Sequence, residues 1–245
     1  MQFGRRNLVR SAITHMAKHE YFLARQQTRQ FLQDAGISHH MFYGPTSDDY
    51  WSAPLRVLAV NMEPYGYEDC GHVEVDLECL LDWMYDAGST GAKTARYTFS
   101  IIGTIIGAYT EGAVTTAENL RAAYADASRL ESVARRSVYY NVRPTSNSNK
   151  NQDFASIVAS GSGDIAEFIR REMQALEPQV ILVSGCAGLA AFNGMWHLVP
   201  KLCFREGRRY SDAIFLQSIR HPSRPNYEEY ASIITNLVRD IKPVI

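Results

Sequence analysis

Long apolar runs are missing from this 245-residue sequence. The longest, around Ile101 to Tyr109, falls well short of the roughly 20 residues that a membrane-spanning helix needs. Cysteine is scarce as well. Cys70, Cys79, Cys186 and Cys203 stand alone, with no C-x-x-C pair, so neither a zinc site nor an iron–sulfur cluster is expected. No stretch at the start has the charged-then-apolar pattern of a secretory leader, and the expectation is a reduced, soluble, cytoplasmic protein. Low-complexity tracts and repeats at a solenoid period are absent too. Finally, there is almost no net charge, with 25 Lys and Arg against 26 Asp and Glu. A neutral total argues at first sight against a nucleic-acid partner.

The charge is unevenly spread, however. From residue 44 to 88 there are ten acids and a single base, Arg56. From 201 to 224 there are six bases against Glu206 and Asp212. A neutral average therefore hides a basic segment able to meet phosphates.

Four short β-branched or apolar runs read as strands: LRVLAV ending at Val60, SVYYNV at Val142, QVILVS at Ser184 and AIFLQSI at Ile219. Helical patterns lie at about 7–33, 73–85, 97–109, 117–132, 165–176, 188–197 and 227–241. Continuous apolar strands alternating with helices imply a parallel sheet covered on both faces. The expected fold class is α/β: a three-layer α/β/α arrangement around a central four-stranded parallel sheet. Residues 1–50 are expected as a helical N-terminal extension packed on a core domain of residues 51–245.

Open parallel sheets bind ligands beyond the carboxyl ends of their strands. Each strand here has unusual residues at that end. Glu63-Pro64-Tyr65 follows the first, Asn141 closes the second, Gly185-Cys186 follows the third, and His221-Pro222-Ser223 follows the fourth.

These segments resemble the uracil-DNA glycosylase superfamily. Asn61-Met62-Glu63-Pro64-Tyr65-Gly66 is similar to its first motif, G-Q-D-P-Y-H in one branch and G-x-N-P-G in others. His221-Pro222-Ser223 is similar to its second, H-P-S. Val138-Tyr-Tyr-Asn141 resembles the strand whose asparagine reads the base, and LEPQVILVSGCAGLAAF resembles the third strand and following helix. Arg143-Pro144 with Asn147 resembles the R-P-x-x-N run of the iron–sulfur branch. The likeness runs from about Pro54 onward. The acid is Glu rather than Asp, Asn61 and Met62 replace Gly and Gln, and the cluster cysteines are absent.

The resemblance implies a monofunctional DNA glycosylase, a monomer with no cofactor and no metal, that flips out a base and leaves an abasic site. Its catalytic residues would be Glu63, for the developing positive sugar and the attacking water, and His221, as a neutral donor to the departing base. Met62, Tyr65 and Asn141 would contact the base, with Tyr65 crowding the C5 position. Arg143, Lys150, Ser223, Arg224 and Tyr227 would contact DNA. Read from the residues themselves, Tyr97 or Phe99 could stack on the base, but aromatics at helical spacing more often belong to the core. Uracil and a modified pyrimidine are both open as substrate, since relatives on this fold remove modified cytosines from bacteriophage DNA as antiviral defence.

Two rival classes fit parts of the pattern. Ser184-Gly-Cys186-Ala-Gly188 lies between a strand and a helix, like a nucleophile elbow, with Asp212 and His221 following in hydrolase order. A thiol hydrolase would need Cys186 and leave Glu63-Pro64-Tyr65 unexplained. A non-catalytic DNA-binding protein would keep Asn141 and the basic residues without needing Glu63.

Overall fold

The computed structural model describes residues 2–34, 40–61, 72–86, 90–141, 163–184, 215–219 and 225–243. The chain divides into two compact units. The first comprises Met1–Ser38 with Asn151–Pro178, the second His39–Lys150 with Gln179–Ile245. Residues 39–50, assigned to the extension on sequence grounds, thus fall in the second unit, and 151–178 join the first.

The first unit is built from α1 (Gln2–Asp34) and, far along the chain, the helix Gly163–Ala175, which becomes α7 below. Along α1 the buried positions Ala17, Tyr21, Ala24, Thr28 and Leu32 recur every three or four residues, which makes one stripe of a 3.6-period helix. Phe31 meets Phe168 of α7 at 6.0 Å between ring centroids. The stripe is not wholly apolar. Arg25 pairs with Glu172 at 3.2 Å, both side chains almost fully buried. Thr28 Oγ1 donates to the other carboxylate oxygen at 2.6 Å, and Arg25 donates to the Tyr21 hydroxyl at 2.6 Å.

The second unit runs β1 (His40–Phe42), α2 (Asp49–Ser52), β2 (Val57–Asn61), β3 (His72–Glu74), α3 (Leu77–Tyr85), α4 (Thr90–Thr110), α5 (Ala117–Ala125), α6 (Ala127–Arg136) and β4 (Ser137–Asn141). After α7 come β5 (Val180–Ser184), β6 (Phe215–Ile219) and α8 (Tyr227–Ile241). The chain is therefore mixed α/β, with a parallel sheet flanked by helices. The sheet order is β4–β2–β5–β6, every pair parallel. All residues of β2, β4 and β5 are buried, as strands shielded on both faces must be.

Local sequence explains where the helices start. Asp76, Thr116, Asp126 and Asn226 each accept a hydrogen bond from the backbone N–H three residues on, capping α3, α5, α6 and α8. Asp126 also corrects one sequence-based element. The single helix expected over 117–132 is two, because Asp126 is extended (φ −90°, ψ 99°) where it caps α6. The expected helix at 73–85 begins only at Leu77, since residues 72–74 form β3 and pair in parallel with β1. The segment expected at 188–197 lies outside the described residues. Helix α4 ends at Thr110, and two residues on Gly112 has a φ of +69°, the left-handed stop that glycine tolerates.

One face of the sheet packs on α3–α6 and α8. Ala59, Tyr139 and Leu182 meet Phe99, Ile102 and Ile105 of α4 and Ile234 of α8 in one cluster. Helices α4 and α6 approach closely at Gly103, where an added Cβ would lie 2.8 Å from Val133 Cγ2. Gly103→Ala should therefore force the helices apart and cost about 1–3 kcal/mol of stability, read as a lowered urea midpoint.

Candidate functional site

Parallel strands bring their carboxyl ends to one edge, and here each ends in a polar residue. Asn61 closes β2, Asn141 closes β4 and Ser184 closes β5. Asn61 is paired with Asn141, and Val60 with Val183, which sets Ser184 one step on beside Asn61. Aligned residues on neighbouring strands share a face, and every second residue returns to it. Ala59, Tyr139 and Leu182 stand two residues back in the helix-covered core. The three polar side chains thus continue that core row to its carboxyl end.

All three are buried, at 5% exposure for Asn61, 7% for Asn141 and 2% for Ser184. Asn61 Oδ1 and Nδ2, Asn141 Oδ1 and Ser184 Oγ nevertheless make no hydrogen bond. Buried polar groups are nearly always partnered, and an orphan costs about 1–3 kcal/mol. The same protein satisfies comparable groups elsewhere. Thr98, Thr104 and Ser137, all buried, each donate to the carbonyl four residues back. Among the described residues the uncharged side-chain orphans are confined to these three residues, the other unbonded buried atoms being arginine Nε. The three form a row, at the sheet edge where ligands of parallel sheets bind, and a ligand's own donors and acceptors would complete it.

A second polar–aromatic group lies where α4, α5 and α8 meet. Tyr97 stacks on Tyr124 at 4.2 Å with the rings 20° apart, and meets Tyr227 edge-on at 5.8 Å. The Arg96 guanidinium sits 4.2 Å over the Tyr124 ring, and that of Arg121 sits 4.8 Å over Tyr227. Burial, then the neighbouring Tyr97 hydroxyl, pushes the Tyr227 phenol far up from its ordinary value. Tyr124 is raised too, by burial against the opposing pull of Arg96. Both hydroxyls therefore stay protonated at neutral pH. A cavity of about 350 Å³ opens elsewhere, between α4, α5 and α6, lined by Arg129, Arg136 and Glu111, and no residue of the row lines it.

Of the residues expected from sequence, the structure describes four: Asn141, Tyr227, Tyr97 and Phe99. Asn141 stands in the row, and Tyr227 stands in the aromatic group, already in contact with Tyr97 and Arg121. Glu63, Met62, Tyr65, Arg143, Lys150, His221, Ser223 and Arg224 lie outside the described residues, as do Cys186 and Asp212. Phe99 is fully buried and packs 5.9 Å from Tyr139, so it belongs to the core, the commoner place for an aromatic at helical spacing, and does not stack on a base. Asn61 and Ser184 were missed as site residues. Their signal was visible in principle: each is the single polar residue ending a continuous apolar strand.

Among the described residues no group of three His, Cys, Asp or Glu side chains could hold a metal ion. No helix among them is long and apolar enough to cross a membrane. Neither a protein-family model nor a curated protein matches the chain.

Proposed function

We propose that this chain is a DNA glycosylase of the three-layer, uracil-DNA glycosylase-like kind, whose base pocket is the row of Asn61, Asn141 and Ser184. The observation that carries the reading is the row itself: four buried polar atoms without partners, on three adjacent strands, at one sheet edge. A planar heterocycle with several ring-edge donors and acceptors is a chemical match to such a row. The motif residues support it through covalent reach alone. Glu63 follows Asn61 by two residues, Arg143 follows Asn141 by two, and His221 follows Ile219 of β6 by two. Two residues of chain span at most about 7 Å, so none of them can stray far from the strand ends.

The chemistry then divides by charge. As the N-glycosidic bond breaks, the sugar gains oxocarbenium character and the base gathers negative charge. The Glu63 carboxylate stabilises the sugar and orients a water toward it. The neutral His221 imidazole donates a hydrogen bond to the departing base, an arrangement that acts like an oxyanion hole. Asn141 reads the base edge. The base reaches the row only by leaving the duplex, at an unstacking cost of a few kcal/mol. No covalent enzyme intermediate is required, and the product is an abasic site. Arg143, Lys150, Ser223 and Arg224 hold the flanking backbone.

The test is an abasic-site assay on labelled oligonucleotides, single- and double-stranded. The panel carries uracil, mismatched thymine, 5-hydroxymethylcytosine and its glucosylated form, and each reaction is followed by alkali. Strand cleavage at one of these bases supports the reading, and Cys186→Ala should leave its rate unchanged. Silence across the panel from folded protein that still binds the oligonucleotides would instead indicate a non-catalytic DNA binder. Silence without DNA binding, together with a hydrolytic activity lost in Cys186→Ala, would indicate a thiol hydrolase.

A further inference from the structure

The donors and acceptors left over in the row say more than that a base binds there. Three orphans have defined character: Asn61 offers an unsatisfied amide oxygen and amide nitrogen, and Asn141 an unsatisfied amide oxygen. Ser184 Oγ, on the far side of Asn61 from Asn141, is also unbonded, so it does not supply the missing proton to either oxygen. Two acceptors on neighbouring strands therefore wait for two donor hydrogens.

A uracil edge carries one ring N–H between two carbonyls. It can satisfy one of the two amide oxygens and leaves the other buried and bare. An exocyclic amine carries two hydrogens on one nitrogen. With those hydrogens about 120° apart and N–H···O lengths of about 2.9 Å, the two acceptors it bridges stand about 5 Å apart. Neighbouring strands lie about 4.8 Å apart, so residues paired across them are spaced for such a bridge. The ring nitrogen next to the amine is an acceptor in cytosine and in adenine, and it matches the orphaned Asn61 Nδ2. Ser184 Oγ remains for a further polar group on the ring or on a substituent.

Building on the glycosylase reading above, we infer that Asn61 is a second base reader beside Asn141, and that the excised base bears an exocyclic amine. Asn61 occupies the position where the resembling motifs carry glycine, which has no side chain to read with. It gives this chain a recognition group that those motifs lack.

The experiment compares amine and carbonyl partners of the same ring. Oligonucleotides carry cytosine against uracil, 5-hydroxymethylcytosine against 5-hydroxymethyluracil, and adenine against hypoxanthine, with base release measured for wild type and Asn61→Leu. The amine member of a pair should be released at least about tenfold faster, the loss expected when a buried hydrogen-bonding group is left unpaired. Whether it is the cytosine or the adenine pair identifies the ring. Asn61→Leu should slow release of the amine base and collapse the ratio toward one, while its melting temperature rises rather than falls. Faster release of the carbonyl member, or a ratio untouched by Asn61→Leu, overturns the inference while leaving the glycosylase standing. Release of no base by wild type overturns both.

Discussion

Glu63→Gln and His221→Ala should each lower single-turnover base release by about a hundred- to a thousandfold, the usual cost of removing one transition-state charge partner. Both should leave DNA binding nearly intact. Glutamine keeps the shape of glutamate and its hydrogen bonds to water, but not the negative charge that the breaking sugar needs. Alanine removes the donor from the leaving base while adding no bulk. In the mechanism proposed above the two residues act on one transition state, from the sugar and from the leaving base. Their double variant should therefore lose less than the product of the single losses. Single-turnover kinetics separates this from slow product release. Rates within about threefold of wild type for both variants would be inconsistent with the mechanism, since a loss of about 0.6 kcal/mol is not a catalytic contribution. A thiol hydrolase would lose activity with His221→Ala but keep it in Glu63→Gln.

The second large effect lies in the first unit, which contains none of the proposed site residues. Glu172→Ala should destabilise the protein by about 3–5 kcal/mol, because it removes the buried carboxylate that pairs with the Arg25 guanidinium. It also removes the acceptor of Thr28 Oγ1. This is a large share of the roughly 5–15 kcal/mol that holds a typical domain folded. The double substitution of Arg25→Met with Glu172→Leu should recover most of the loss. Apolar residues of similar volume need no counter-charge and escape the desolvation that the ion pair suffers. Urea denaturation of the three proteins decides it. A double variant no more stable than Glu172→Ala would mean that the side chains around the pair depend on its shape as well as its charge.

How the site was legible follows from how local each signal is. Asn141 was readable because it ends an apolar run just before Arg143-Pro144, and a polar residue at the end of a buried strand is a local pattern. Asn61 and Ser184 carry the same pattern. Without the register, nothing showed that they stand beside Asn141 rather than in separate turns. Phe99 lies in the core, as the helical spacing of its aromatic suggested, but only the structure names Tyr139 as its neighbour there.

By itself, the sequence determined the elements whose causes are short-range. Strand runs of β-branched residues, the helix caps at Asp76, Thr116 and Asn226, and the glycine stop at Gly112 all act within a turn or two of chain. Parallel pairing followed too, since strands joined through helices have little alternative. Only the tertiary structure decided what depends on distant neighbours. Helix α7 joins α1 across more than a hundred residues, and that pairing brings Arg25 and Thr28 to the buried Glu172. The register of β2 against β4 and β5 turns three scattered polar residues into one row of orphaned donors and acceptors. A side chain's hydrogen-bond deficit belongs to its surroundings in space, which no stretch of sequence contains.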